Sequence, residues 1–105
     1  GLDAWVRQVL QLLNEEQRAA VMALALQGKG SGPEKVILSR VTDLVPLPQR
    51  VQIFSQVNGL SQRVADRLAR EPSHAQEAVM GWPRFRLVGA RNPDAVALHR
   101  LGRNG

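Results

Sequence analysis

Apolar residues recur every three or four positions through the first 80 residues, and helix-capping or helix-breaking residues repeatedly interrupt this spacing. Such a pattern puts an apolar stripe on each of several short helices, which pack together to bury it. Asn14, with Gln17 at the reciprocal capping position, is suited to begin a helix, and Asn58-Gly59 is suited to end one. The sequence therefore predicts an all-α fold, a compact bundle of about five to six short helices.

The pattern changes after Gly81. Residues 84–88 alternate arginine with apolar side chains, which predicts a short extended segment. Asn92-Pro93 then indicates a C-terminal helix, because it places a capping residue before a proline in the first turn. We therefore expect a helical bundle over residues 1–81 and a basic C-terminal extension over residues 82–105, which packs on the bundle or trails from it.

A shift of 32 residues aligns two parts of the chain. The identical pairs are Val9 with Val41, Leu12 with Leu44, Gln17 with Gln49, and Arg18 with Arg50. This period is close to that of helical solenoid proteins, so the chain fits two helix-turn-helix repeats. Two unrelated amphipathic helix pairs in a compact bundle would align comparably. The two interpretations differ in whether the scaffold has an extended groove.

The formal net charge of +5 is concentrated near the C-terminus. Residues 81–105 contain five arginines and a single acidic residue, Asp94. Twelve of the 14 cationic residues in the chain are arginine, whose guanidinium group binds carboxylates and phosphates through two parallel hydrogen bonds. A genome rich in G and C also favours arginine over lysine, so composition alone does not establish an anionic partner.

The residue types that most catalytic and metal sites need are scarce. Cysteine and tyrosine are absent, and the two histidines, His74 and His99, lie 25 positions apart with no second ligand at metal-site spacing. The glycine-rich stretch 28–32 lacks the Lys-Ser/Thr pair of a phosphate-binding loop. We therefore expect that the protein is not an enzyme and has no catalytic residue, no cofactor and no metal.

Three arginines share one face of a predicted helix. Arg63, Arg67 and Arg70 are spaced i, i+4, i+7, so their side chains project to the same side. They are candidates for binding a partner or a phosphate. In the alternative interpretation they form a solvated helix face and pair with Asp66 or Glu71.

A second candidate surface lies in the C-terminal extension, where Arg84 and Arg86 are interleaved with Trp82 and Phe85. Aromatic rings fill a partner's pocket or stack on bases, and arginines bind phosphates. In the alternative interpretation the aromatic residues cover the end of the bundle while the arginines point to solvent.

These features favour a binding module. The leading interpretation is a non-catalytic protein-protein interaction module, an adaptor or regulatory part of a larger protein, that holds an amphipathic or acidic partner segment. Trp5 is its first apolar candidate, because the apolar positions of the first helix span more than one face. The alternative is a nucleic-acid-binding domain that contacts RNA or DNA with the arginine-rich face.

The sequence also gives an expectation for where in the cell the protein is located. The longest apolar run, residues 19–26, has eight residues, whereas a membrane-spanning helix needs roughly 20. The N-terminus shows no basic start followed by an apolar stretch. Together with the absence of cysteine, these features predict an intracellular protein, cytoplasmic or nuclear, with no membrane partner.

Overall fold

The described parts of the chain are mostly α-helical. The structure, a computed structural model, describes residues 4–27, 33–80, 85–87 and 90–104. Within these ranges there are seven α-helices and no strand. The helices are α1 (Ala4–Gln11), α2 (Glu15–Gln27), α3 (Pro33–Leu44), α4 (Leu47–Val57), α5 (Gln62–Arg70), α6 (Ser73–Met80) and α7 (Pro93–Asn104). The predicted all-α class is confirmed, and residues 85–87, the described part of the segment expected to be extended, form no strand.

The helices group into two compact units, unit 1 (Gly1–Pro46) and unit 2 (Leu47–Gly105). The division falls at the proline-containing turn between α3 and α4. The boundary expected at residue 81 lies inside unit 2. In this unit α7 packs against α5 and α6, so the described part of the C-terminal extension docks on the helices that precede it.

In unit 1, the turn between α1 and α2 is fixed by side chains that bind helix ends. The backbone N–H of Asn14 donates to Gln17 Oε1 at 3.1 Å, and the N–H of Gln17 donates to Asn14 Oδ1 at 2.8 Å. This confirms the reciprocal cap predicted from the sequence. Arg18 donates from Nε to the carbonyl of Leu10 and from Nη2 to that of Leu13, both at 2.9 Å. A cation thereby satisfies carbonyls that the end of α1 leaves without helical partners.

Both units bury apolar side chains of their helices. In unit 1, α2 packs against α3. In unit 2, α4 contacts α5 and α6, and α7 contacts α5 and α6. The largest fully buried side chains of unit 2 are Phe54, Leu68, Met80, Leu101 and Val79. Phe54 also meets Phe85 edge-to-face, with ring centroids 5.3 Å apart, a geometry that aromatic pairs prefer.

Helix α4 ends in the left-handed turn that its sequence predicts. Gly59 has a φ of +68°, which a residue without a β-carbon adopts at little cost. The N–H of Leu60 donates to the carbonyl of Ser55 at 3.0 Å, and that of Gly59 donates to Gln56 at 3.3 Å. This pair of bonds is the Schellman arrangement, which satisfies the last carbonyls of the helix.

The residue before this glycine, Asn58, connects the end of α4 to residues 85–87. Its side chain is buried, and its Nδ2 donates to the carbonyls of Phe54 and Phe85, both at 2.9 Å. Its Oδ1 accepts from the N–H of Leu87 at 2.8 Å. One amide group therefore satisfies a backbone carbonyl of α4 and backbone groups of two residues that lie 27 and 29 positions after Asn58.

Other side chains satisfy helix ends in unit 2. Gln76 Nε2 donates to the carbonyl of Leu68 at 2.9 Å, and Arg100 Nη1 donates to that of Val79 at 2.9 Å. Arg50 is 8% exposed and forms an ion pair with Glu77, with 2.8 Å between Nη2 and Oε1. These contacts join α5 to α6, α6 to α7, and α4 to α6.

We expect Asn58→Ala to lower the free energy of unfolding by about 3 kcal/mol, because it leaves a buried N–H and buried carbonyls without partners. Urea denaturation followed by far-UV circular dichroism measures this loss. Asn92→Ala is the matched control, because Asn92 is exposed and caps α7 by accepting from the N–H of Ala95 at 3.1 Å. Its loss should be about 1 kcal/mol. An equal loss in both variants would contradict a special role for Asn58.

Candidate functional site

Helix α5 is held at both ends. At its N-terminus, Ser61 Oγ accepts from the N–H of Val64 at 3.3 Å, and the N–H of Ser61 donates to Asp94 Oδ1 at 2.9 Å. At its C-terminus, Gln76 binds the carbonyl of Leu68, as does the N–H of Glu71. Contacts from α6 and from the start of α7 fix this helix. Its exposed side chains are therefore attached to a backbone whose position is defined.

The three arginines predicted as a site lie on the exposed side of α5, and we call Arg63, Arg67 and Arg70 the arginine face. Successive helical residues are about 100° apart, so these three fall within an arc of about 60°. Val64 and Leu68, at 4% and 0% exposure, occupy the buried side of the same helix. The spacing inferred from the sequence is therefore realised as one exposed basic strip.

Most of this strip is free of local ion pairs. Arg67 Nε lies 3.8 Å from Glu71 Oε1, and both groups are partly exposed, so the pair is weak. Within the described ranges, neither Arg63 nor Arg70 forms an ion pair. Asp66 accepts a hydrogen bond from Gln62 Nε2 at 2.7 Å instead. The expected pairing with acidic neighbours thus occurs at one arginine of the three.

The two units differ in charge. Unit 1 contains five cationic and five acidic residues, whereas unit 2 contains nine arginines and four acidic residues. Unit 2 therefore carries the whole formal net charge of +5. Of its arginines, Arg50 and Arg100 are bound to Glu77 and to the carbonyl of Val79, and so serve the fold.

A cleft lies between α4 and α5, and we call it the α4–α5 cleft. The α5 residues that line it are on a different side of the helix from the buried Val64 and Leu68. Its volume is about 410 Å³. The polar residues that line it are Gln52, Ser55, Gln56, Gln62 and Asp66. Ser55 is 5% exposed, and its hydroxyl oxygen has no hydrogen-bond partner among the described residues. This cleft was not predicted, although the small or polar side chains at positions 62, 65, 66 and 69 share one helical face and were a signal for it.

Trp5 and Phe85, which were candidates for an exposed apolar contact with a partner, are buried in the structure. Trp5 is 5% exposed and Phe85 is 2% exposed, so both rings belong to the buried core and neither is an exposed anchor for a partner. Their burial follows from the helical stripe of α1 and from the contact between Phe85 and Phe54. Trp82 and Arg84 lie outside the described residues, and Arg86 is half-buried.

Few large apolar side chains are exposed in the part of the chain whose side chains the structure describes. Among the described residues, the large apolar side chains that are exposed are Leu12 and Leu44, at 37% and 44%. Leu12 directly follows α1, and Leu44 is the last residue of α3. The large apolar residues of α1 span more than one face of the helix, and all four of them are buried: Trp5, Val6, Val9 and Leu10.

Clusters of metal ligands and membrane-spanning helices are absent from the described ranges. No three side chains of the His, Cys, Asp or Glu type come together there in a way that could hold a metal ion. His74 and His99 are exposed on α6 and α7. None of the described helices has the length and apolar character needed to cross a bilayer.

Comparison with known proteins gave no relative: no family model, curated protein or solved structure matches the chain significantly.

We expect Trp5→Ala to lower the free energy of unfolding by about 3 to 5 kcal/mol, the usual loss when a buried large aromatic side chain is truncated. Leu12→Ala is the control at an exposed position and should change stability by less than about 1 kcal/mol. Thermal and urea denaturation followed by circular dichroism measure both values. If the Trp5 variant were as stable as the Leu12 variant, the burial of the indole ring would be wrong.

Proposed function

We propose that the chain is a non-catalytic protein-interaction module, of adaptor or regulatory type, that binds an acidic segment of another protein through the arginine face of α5. The observation that carries this proposal is the exposure of Arg63, Arg67 and Arg70 on one side of a helix whose two ends are fixed. A set of guanidinium groups on a fixed backbone loses less conformational freedom on binding than the same groups on a loop.

Arginine chemistry defines the partner group. A guanidinium presents a planar fork of N–H donors that matches the two oxygens of a carboxylate. Arg63 and Arg70 form no ion pair within the described ranges, so a partner's carboxylates do not have to displace an internal acid from them. At Arg67 the competing contact with Glu71 is long, at 3.8 Å, and exposed.

The charge difference between the units supports the same proposal. Because unit 2 carries the whole net charge of +5, an acidic segment is attracted to it from a distance. Complementary charge mainly raises the association rate and selects the partner. With few apolar side chains exposed in the described ranges, binding should depend on charge, and salt should weaken it.

Nucleic acid is the second candidate partner, because the same guanidinium groups fit phosphates. One observation makes it the weaker candidate. The described aromatic rings, those of Trp5, Phe54 and Phe85, are all buried, so none of these offers a platform for stacking bases. A contact with phosphates alone would bind without regard to base sequence.

The proposed surface does not depend on the 32-residue repeat, which stays a prediction. The second helix pair of that repeat, α3 with α4, is divided between unit 1 and unit 2. The arginine face lies on α5, after both of the predicted copies.

The test is a fluorescence-anisotropy titration of the whole chain with two labelled probes, an alternating Glu-Ala peptide and a short DNA duplex, at about 50 mM and 200 mM salt. We expect the peptide to bind with an affinity that falls as salt rises. Arg63→Gln/Arg67→Gln/Arg70→Gln should weaken peptide binding by about tenfold or more, equivalent to about 1.4 kcal/mol.

The matched control is Arg7→Gln/Lys35→Gln/Arg40→Gln, which removes the same charge from three exposed positions of unit 1. It should leave peptide affinity within about twofold, a change no larger than the effect of one exposed charge pair. Equal weakening by both triple variants would show that only net charge matters. Binding of the duplex without binding of the peptide would replace the proposal by the nucleic-acid alternative.

A further inference from the structure

The α4–α5 cleft contains an unsatisfied buried group. Ser55 lines the cleft, is 5% exposed, and its hydroxyl has no hydrogen-bond partner among the described residues. A buried polar group without a partner destabilises the folded chain, and such groups are uncommon in proteins. A ligand bound in the cleft that reaches this hydroxyl can supply the missing partner.

The walls of the cleft are lined with side-chain amides. Gln52 and Gln56 are exposed on α4, and Gln62 is exposed on α5. Each amide offers both N–H donors and a carbonyl acceptor, the same pair of groups that a peptide main chain presents. Gln62 Nε2 already donates to Asp66, and Asp66 keeps further acceptor capacity for an N–H group.

The size and the position of the cleft fit a short stretch of main chain. Its volume of about 410 Å³ lies within the range of ligand-binding clefts. Ala65 and Ala69 line it on α5, so no long side chain from these positions fills the space. On the helix, Asp66 and Arg70 are about 40° apart, so one edge of the cleft borders the arginine face.

The charges nearby favour a neutral group inside the cleft and carboxylates beside it, because Asp66 lines the cleft and the arginine face lies next to it. Asp66 is the single charged residue that lines the cleft, and it accepts a hydrogen bond from Gln62. The neighbouring arginine face repels cations and attracts carboxylates. An occupant therefore needs a neutral part that donates and accepts hydrogen bonds, next to negatively charged side chains.

We infer that the α4–α5 cleft binds the extended main chain of the acidic segment, whose carboxylates then contact Arg63, Arg67 and Arg70; this inference rests on the proposed function. Gln52, Gln56 and Gln62 bind the peptide groups, and Ser55 gains the partner that it lacks in the free chain. The module thereby selects an extended acidic peptide and discriminates against negative charge presented without a peptide main chain.

The first experiment uses Ser55→Ala in the whole chain. Removal of an unpartnered hydroxyl should leave the urea midpoint unchanged or raise it, because no bond within the described chain is lost. Affinity for the labelled Glu-Ala peptide should fall about threefold to tenfold, the value of one hydrogen bond. A hydroxyl with a purely structural role would lower stability and leave peptide affinity unchanged, which would overturn the inference.

The second experiment fills the cleft. Ala69 is exposed and lines the cleft, so Ala69→Trp should block the peptide without removing a charge and weaken binding by about tenfold or more. Ala95→Trp is the control, an exposed alanine on α7 that does not line the cleft. It should bind the peptide as the unmodified chain does.

A third probe separates main chain from charge. The Glu-Ala peptide with N-methylated alanine residues keeps every carboxylate and loses half of its N–H donors, so it should bind about tenfold more weakly than the unmodified peptide. If the arginine variants weaken binding while Ser55→Ala, Ala69→Trp and N-methylation have no effect, the cleft inference is wrong and the proposed function stands. If the unmodified peptide does not bind at all, both are wrong.

Discussion

Helix ends impose the main constraint on this fold. Each α-helix leaves N–H groups at its start and carbonyls at its end without helical partners, and a chain of many short helices has many such ends. The protein satisfies them with side chains. Arg18 binds carbonyls at the end of α1, Gln76 at the end of α5, and Arg100 at the end of α6. Because several of these side chains belong to a neighbouring helix, satisfying an end also fixes how two helices meet.

This constraint divides the arginines into two groups. Arg18, Arg50 and Arg100 bind carbonyls or a carboxylate of the chain and hold the fold. Arg63 and Arg70 lie on an exposed face and have no ion pair within the described ranges. The composition alone, rich in arginine, does not separate these groups, because the separation depends on which carbonyls come within reach after folding. Two of the three arginines of the proposed binding surface therefore have no ion-pair role within the described ranges, and the third, Arg67, has only the long contact with Glu71.

Local signals in the sequence predicted the helices and three of their ends, including the cap of α7 by Asn92. The cap formed by Asn14 and Gln17, and the turn at Asn58-Gly59, involve residues within a few positions of each other, so sequence spacing is sufficient. Contacts between distant segments were beyond its reach. Nothing local shows that Asn58 binds residues 85–87, or that α4 and α5 leave a cleft between them. The burial of Trp5 was missed for the same reason, since an apolar face is buried or exposed according to what packs on it.

The hydrogen bonds of Asn58 also bear on the chemical durability of the chain. In an unfolded chain, an Asn-Gly pair is prone to deamidation, in which the glycine nitrogen attacks the asparagine side-chain carbonyl and ammonia leaves. Here the N–H of Gly59 donates to Gln56, and the Asn58 side chain is bound to Phe54, Phe85 and Leu87. Both reacting groups are thus held by other partners while the chain is folded. Deamidation would replace the N–H donor at position 58 by a carboxylate oxygen facing two carbonyls. A period spent unfolded can therefore leave a permanent covalent mark at the position where the end of α4 binds residues 85–87.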